Sequence, residues 1–231
     1  MGKSTERFKT YQDVFDEFTN QTLFKLITQG HFDGLIGPVS IGKESNVFVC
    51  KKDDHKVIAK IYRLETCDFN RMYDYIKDDP RFAGLKKHKR KIIFAWAQRE
   101  YRNLLIAREG QVRVPKAITV LNNVLVLEYI GCAEAAPKLK DSLPENPQDF
   151  FEDTINNIKK LYKAGLVHGD LSQFNILNLK EKPVFIDLSH STPTKNHNSE
   201  ELLARDMRNV CNFFRKLGLK IDEEKIKKSI K

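Results

Sequence analysis

A chain of 231 residues that is 41% hydrophobic and 31% charged has ordinary globular make-up, enough for one large domain or two small lobes. No apolar run approaches the roughly 18 residues of a membrane span, and Met1-Gly2-Lys3-Ser4-Thr5-Glu6 carries no apolar signal core, so a protein without membrane contact is expected. The formal charge of +9 points to an acidic partner, nucleic acid above all, while the scattered Cys50, Cys67, Cys132 and Cys211 read as reduced cytoplasmic thiols rather than a disulfide frame or zinc site.

The first 30 residues read as helix, a prelude over residues 1–33. Thr10 caps a turn in which Val14, Phe15 and Phe18 share a face; Leu23, Phe24 and Ile27 continue it, and Gly30 stops it. From Gly34 the apolar period falls to two. Residues 35–40 and 46–50 read as strands around a tight loop, Lys52 to Lys56 as a turn, and residues 57–62 as the third strand of an antiparallel meander. Residues 68–91 read as a polar loop ending in the basic run Lys86-Lys87-His88-Lys89-Arg90-Lys91. A helix follows, with Ile93, Trp96, Ala97, Glu100, Tyr101, Leu104 and Leu105 at helical spacing. Two strands, 117–120 and 124–127, flank an Asn122-Asn123 turn, and Glu128 to Gly131 is a hinge.

The remainder changes character. Phe151, Ile155, Ile158 and Tyr162 stripe a helix that Gly165 ends. Residues 176–179 and 184–186 form a hairpin across Lys180 to Pro183, and a last helix starts near Asn198 or Ser199, carrying Leu202, Leu203, Val210, Phe213, Phe214 and Leu217. Strands with one helix, a hinge, then helices with one hairpin make an α+β chain of two lobes, residues 34–130 and 131–231.

Phosphoryl transfer needs a grip on phosphates, metal ligands, a group that orients the nucleophile, and charge neutralisation. The run His168-Gly169-Asp170-Leu171-Ser172-Gln173-Phe174-Asn175 supplies two of these. Asp170 and Asn175 have the D-x-x-x-x-N spacing of a kinase catalytic loop, in which the carboxylate takes the acceptor proton and the amide oxygen ligates magnesium. Asp187, at the end of the next apolar strand, is the expected second metal ligand. Lys60 ends the strand Val57-Ile58-Ala59-Lys60 and would neutralise the α- and β-phosphates, with Glu100 on the following helix as its partner. The segment Gly37 to Glu44 nearly spells a P-loop. It fails because Glu44 stands where the magnesium-binding hydroxyl belongs and a strand, not a helix, follows. As a hairpin loop over ATP, Gly42 with neighbouring amides and the Ser40 and Ser45 hydroxyls is adequate.

Three motifs in register, Ser40-Ile41-Gly42-Lys43-Glu44-Ser45-Asn46-Val47, residues 166–175, and Ile186-Asp187-Leu188-Ser189-His190-Ser191, resemble the RIO family of atypical protein kinases, its first subfamily in particular. The likeness runs from about Gly34 to Phe214. It implies a protein-kinase-like fold and a serine/threonine kinase with ATP and Mg2+ or Mn2+ as cofactors. Residues 40–46, including Lys43, Glu44 and Asn46, would cover the nucleotide, and the Glu128 and Ile130 backbone would bind adenine. Asn175 and Asp187 would hold the metal, Asp170 would be the catalytic proton acceptor, and Asp187 would also accept a transient phosphate. The family is tied to small-ribosomal-subunit maturation, which makes pre-ribosomal RNA the expected partner of the basic run; a protein substrate is left open. Gly169 replaces the arginine of H-R-D kinases, Asp187-Leu188-Ser189 replaces D-F-G, and no A-P-E follows. The expected second lobe is therefore trimmed, lacking an activation segment and peptide-docking helices, with about one helix and a tail after Asp187. Two other classes compete. Aminoglycoside- and choline-type kinases share H-G-D-x-x-x-x-N, though not the 40–47 or 187–191 signatures; a non-catalytic scaffold would not need Lys60, Glu100, Asp170, Asn175 and Asp187 together.

Overall fold

The computed structural model describes residues 15–77 and 79–230. Two compact units emerge: one extends through Tyr101 and adds Lys116–Tyr129, the other holds Arg102–Pro115 and Ile130–Lys231.

The first unit is built on a five-stranded antiparallel sheet in the order β1-β2-β3-β5-β4. Its strands are β1 (Gly34–Ile41), β2 (Ser45–Lys52), β3 (His55–Tyr62), β4 (Ala117–Leu121) and β5 (Val124–Glu128). The meander follows from its turns. Asp53 and Asn122 take positive φ (48° and 51°) in two-residue connections that pair Lys52 with His55 and Leu121 with Val124. Helix α1 (Glu17–Thr28) lies against this sheet, burying Leu23 and Leu26 with Phe48, Val57, Ala59, Ile61, Val124 and Val126. Its cap is Asp16, whose carboxylate accepts the Thr19 N–H at 3.0 Å. The expected Thr10 cap and Val14 fall outside the described residues.

The segment 68–91 departs from the expected loop. It contains helix α2 (Phe69–Ile76), capped by Asp68, and a 3-10 turn at Pro80–Phe82. Phe69, Met72, Tyr73 and Ile76 stand at i, i+3, i+4 and i+7, an apolar stripe that buries Met72 and Ile76 against Trp96 and Ile92. Helix α3 (Lys89–Glu109) also starts earlier than expected, so Lys89, Arg90 and Lys91 of the basic run are helical. Below the turn, Asp79 is fully buried and meets Arg81 Nη2 at 2.6 Å and Arg99 Nε at 3.2 Å. Asp79→Ala should cost about 3–5 kcal/mol, because it strips a buried guanidinium of its carboxylate. A lowered midpoint in urea denaturation is the readout; an unchanged midpoint would show that the network is replaceable.

The second unit centres on helices α4 (Pro147–Lys163) and α5 (Ser199–Lys216), whose Phe151 and Phe214 rings lie 5.1 Å apart. Asn146 caps α4 through the Gln148 and Asp149 N–H groups, Pro147 occupies its first turn, and Gly165 beyond its end has φ +88°. Two short sheets carry the chemistry: β6 (Leu166–Val167) with β9 (Thr192–Pro193), and β7 (Ile176–Leu179) with β8 (Lys182–Phe185). The β7–β8 connection is tighter than expected. Lys180 and Glu181 form a two-residue turn at φ 50° and 63°, and Lys182 and Pro183 already belong to β8. A helix α6 (Glu223–Ile230) replaces the expected tail, anchored by buried Ile230. No helix among the described residues is long and apolar enough to cross a membrane.

Candidate active site

In the first unit, Lys60 on β3 and Glu100 on α3 form a buried ion pair, Nζ to Oε1 at 2.8 Å, with residue exposures of 6% and 1%. The Tyr62 hydroxyl donates a short hydrogen bond to Glu100 Oε2, so the two oxygens are held by different donors. One residue, Ile61, separates Lys60 from Tyr62 on one strand, which puts both on the same face. That period was the signal for Tyr62, which the sequence reading missed.

The loop between β1 and β2 is three residues long. Gly42 N–H donates to Ser45 O at 3.0 Å, and a Cβ on Gly42 would stand 2.9 Å from that same oxygen, which explains the glycine. Arg63 N–H reaches back to Glu44 O, and the Thr66 hydroxyl to Lys43 O at 3.3 Å. Ser40 is exposed opposite Val47, and Asn46 is buried opposite Ile41. At the hinge, Glu128 N–H donates to Lys116 O at 2.8 Å, and its Oε2 accepts Lys116 N–H at 2.9 Å. Ile130 is buried, and its carbonyl accepts Ala136 N–H.

In the second unit the β7–β8 hairpin brings the candidate catalytic residues together. Ile176 pairs with Phe185, and Ile186 N–H donates to Asn175 O at 3.0 Å, so the register brings Asp187 beside Asn175 at one end of the hairpin. Asn175 Nδ2 donates to the Asp170 backbone oxygen (2.8 Å) and to Asp170 Oδ2 (3.0 Å). With its nitrogen committed to Asp170, the amide presents its oxygen as a ligand. Asp187 sits in the left-handed region, φ 62° and ψ 65°. An amide oxygen and a carboxylate are hard donors of the kind Mg2+ accepts together with substrate phosphates. The donor set fits the metal.

The loop around Asp170 is anchored from α5. Asp206, buried on that helix, accepts Gly169 N–H at 2.7 Å and Leu171 N–H at 2.8 Å, one on each oxygen. The Arg205 guanidinium donates a short bond to Gly169 O, and Asn209 Nδ2 reaches Leu171 O at 3.2 Å. Burial pushes the Asp206 carboxyl up to about 7 despite the two N–H groups pulling it down. Gly169 has φ +78°, and a Cβ there would lie 2.8 Å from His190 O, so neither arginine nor any other side chain fits. On α3, buried Asn103 donates to Leu188 O (2.9 Å) and Ser191 O (3.0 Å), clamping the turn that follows Asp187. Sequence reasoning missed Asp206, Asn103 and Ser189. Asp206 interrupts the apolar stripe Leu202, Leu203, Met207 and Val210, and an acid on a buried face was its signal.

A RIO-domain family model matches residues 46–226. Rio1 serine/threonine-protein kinases from Haloferax volcanii (42% identical, covering 97% of this chain and 78% of that one) and Methanocaldococcus jannaschii (44%, covering 93% and 74%) are among its relatives. Rio2 from Chaetomium thermophilum, solved as an ADP/Mg2+-phosphoaspartate complex, superposes with a TM-score of 0.67 at 21% identity, covering 91% of this chain and 65% of that one. The fold is that of the protein kinases, and the chain is a phosphotransferase of the kinase class. More narrowly, it belongs to the RIO family of serine/threonine-protein kinases.

Proposed function

We propose that the protein is an ATP- and Mg2+-dependent serine/threonine kinase that also hydrolyses ATP through a phosphate carried transiently on Asp187, and that it works as a nucleotide switch on a maturing small ribosomal subunit. The observation that supports this best is the hairpin end where Asn175, turned by Asp170, stands beside Asp187. Bound Mg2+, or Mn2+, would supply positive charge that offsets the charge developing on the transferred phosphate. Asn175 Oδ1 and the Asp187 carboxylate would hold it. Lys60, oriented by Glu100, would bind the α- and β-phosphates. The 40–46 loop would lie over the nucleotide, with the Gly42 conformation allowing close backbone approach. Adenine would engage the Glu128 carbonyl and the Ile130 N–H. Asp170 would take the proton of an incoming hydroxyl.

The phosphoaspartate of the Chaetomium Rio2 complex supports the Asp187 reading by kinship. The ribosomal reading rests on family likeness and on the charge of +9. Within the basic run, Lys89 Nζ is bonded to Glu65 O at 2.8 Å, and Lys87 and Arg90 lie over the rings of Tyr73 and Phe18. Lys87, Lys89 and Arg90 of the run are thus held against the protein, where phosphate groups would meet them.

The test is incubation with γ-labelled ATP and Mg2+, followed by hydroxylamine. Label released by hydroxylamine, and missing in Asp187→Asn, is the expected result. Label that is wholly acid-stable and hydroxylamine-resistant would overturn the aspartyl-phosphate reading and leave hydroxyl phosphorylation alone.

A further inference from the structure

Two residues beyond Asp187, Ser189 is 2% exposed and its hydroxyl donates to Asp187 Oδ1 at 2.8 Å. The same Oγ lies 3.3 Å from His190 Nδ1, and His190 is itself only 9% exposed. A serine hydroxyl has one proton. With that proton given to Asp187, the imidazole contact is a hydrogen bond only when His190 carries its proton on Nδ1 and donates it to Oγ. The chain then runs His190 Nδ1–H to Ser189 Oγ–H to Asp187 Oδ1, each donor strengthening the next. The turn bearing it is fixed independently, because Asn103 holds Leu188 O and Ser191 O on either side. Asp187 is also the proposed metal ligand, and a hydroxyl bonded to a ligating carboxylate orients it as well as drawing charge out of it, so the decay of the phosphate is what separates the two roles.

We infer that Ser189 sets the lifetime of the phosphate on Asp187 by making the carboxylate a better leaving group. This rests on the aspartyl-phosphate reading above. In the forming step a carboxylate oxygen of Asp187 attacks the γ-phosphorus of ATP, the bond from phosphorus to the β,γ-bridging oxygen breaks, and ADP departs with that electron pair. In the hydrolytic step a water oxygen attacks the same phosphorus. The bond from phosphorus to the aspartyl oxygen breaks, its electron pair returns to the carboxylate, and the water gives up a proton to solvent as inorganic phosphate leaves. A hydrogen bond to the acyl carbonyl oxygen stabilises the carboxylate as it is released, so Ser189 speeds the second step. The same bond makes the free carboxylate less nucleophilic, so Ser189 slows the first. Its removal therefore shifts the balance toward the phosphorylated form, which general damage to the site would not do.

The experiment is a pulse of γ-labelled ATP with Mg2+, a chase with unlabelled ATP, and hydroxylamine-labile label followed over time in wild type, Ser189→Ala, Ser189→Thr and Asp187→Asn. Ser189→Ala is expected to hold more label at steady state and to lose it roughly three- to tenfold more slowly, the effect of deleting one hydrogen bond of ordinary net strength to a carbonyl on which charge is only developing. Ser189→Thr, which keeps the hydroxyl, should return the decay toward wild type. Equal decay in wild type and Ser189→Ala, with label present in both, overturns the role of Ser189 alone. Lower label with unchanged decay in Ser189→Ala does the same, since it marks a merely structural residue. Absence of hydroxylamine-labile label from wild type overturns the Asp187 reading and this inference with it.

Discussion

Asp170→Asn should reduce phosphate transfer to serine or threonine by about 100- to 10,000-fold, the range expected for loss of a positioned general base, while hydroxylamine-labile label on Asp187 persists. The isosteric change keeps the loop intact. Asn175 Nδ2 donates to Asp170 Oδ2 and to the Asp170 backbone oxygen, and an amide at position 170 can turn its own oxygen toward that donor. What it cannot do is accept the proton of an attacking hydroxyl. An aspartate nucleophile brings no such proton, so the proposed step at Asp187 has no need of the Asp170 carboxylate. Asp187→Asn should instead remove both products, since it takes away the proposed metal ligand and the proposed acceptor together. The measurement is the ratio of acid-stable to hydroxylamine-labile label in the two variants. Equal loss of both labels in Asp170→Asn would show that Asp170 positions the nucleotide rather than the acceptor.

Most of this constellation was legible because kinase chemistry imposes sequence spacing. Asp170 and Asn175 must sit in one loop, so their separation is fixed; Asp187 must end the strand paired to the one Asn175 begins, so a hairpin length separates them. Lys60 and Glu100 were harder, being forty residues apart, and became a pair only because α3 presents Glu100 at the right turn. Legibility failed where the partners of a functional residue are backbone atoms. Asp206 binds two N–H groups and Asn103 two carbonyls, and neither contact leaves a complementary side chain in the sequence. The Gly169 substitution was visible but its cause was not, since His190 O approaches it only through tertiary folding. The α2 helix is a different failure. Its i, i+3, i+4, i+7 stripe was present at Phe69, Met72, Tyr73 and Ile76, and the surrounding charge masked it.

Asp206→Asn should lower kcat by about 10- to 100-fold, with ATP affinity far less affected, because it loosens the loop holding Asp170 rather than the grip on phosphate. Each Asp206 oxygen accepts a backbone N–H, from Gly169 and from Leu171, the two residues flanking Asp170. An asparagine has one acceptor oxygen, so its NH2 must face one of those donors in a site buried from water. An unsatisfied buried donor of this kind costs about 1–3 kcal/mol of stability. The cost also carries a pH signature. Burial raises the Asp206 carboxyl from 3.8 to about 7, so the folded chain favours the protonated form. This group's contribution to stability is therefore fully present below 3.8 and is lost as the pH rises through about 7. Asparagine does not titrate. The stability gap between wild type and Asp206→Asn should consequently be widest below about pH 4 and narrow steadily toward pH 8, as read by urea denaturation across that range. A gap that widens with pH would mean that the Asp206 carboxylate is stabilised as an anion, with the Arg205 guanidinium and the two N–H groups outweighing burial.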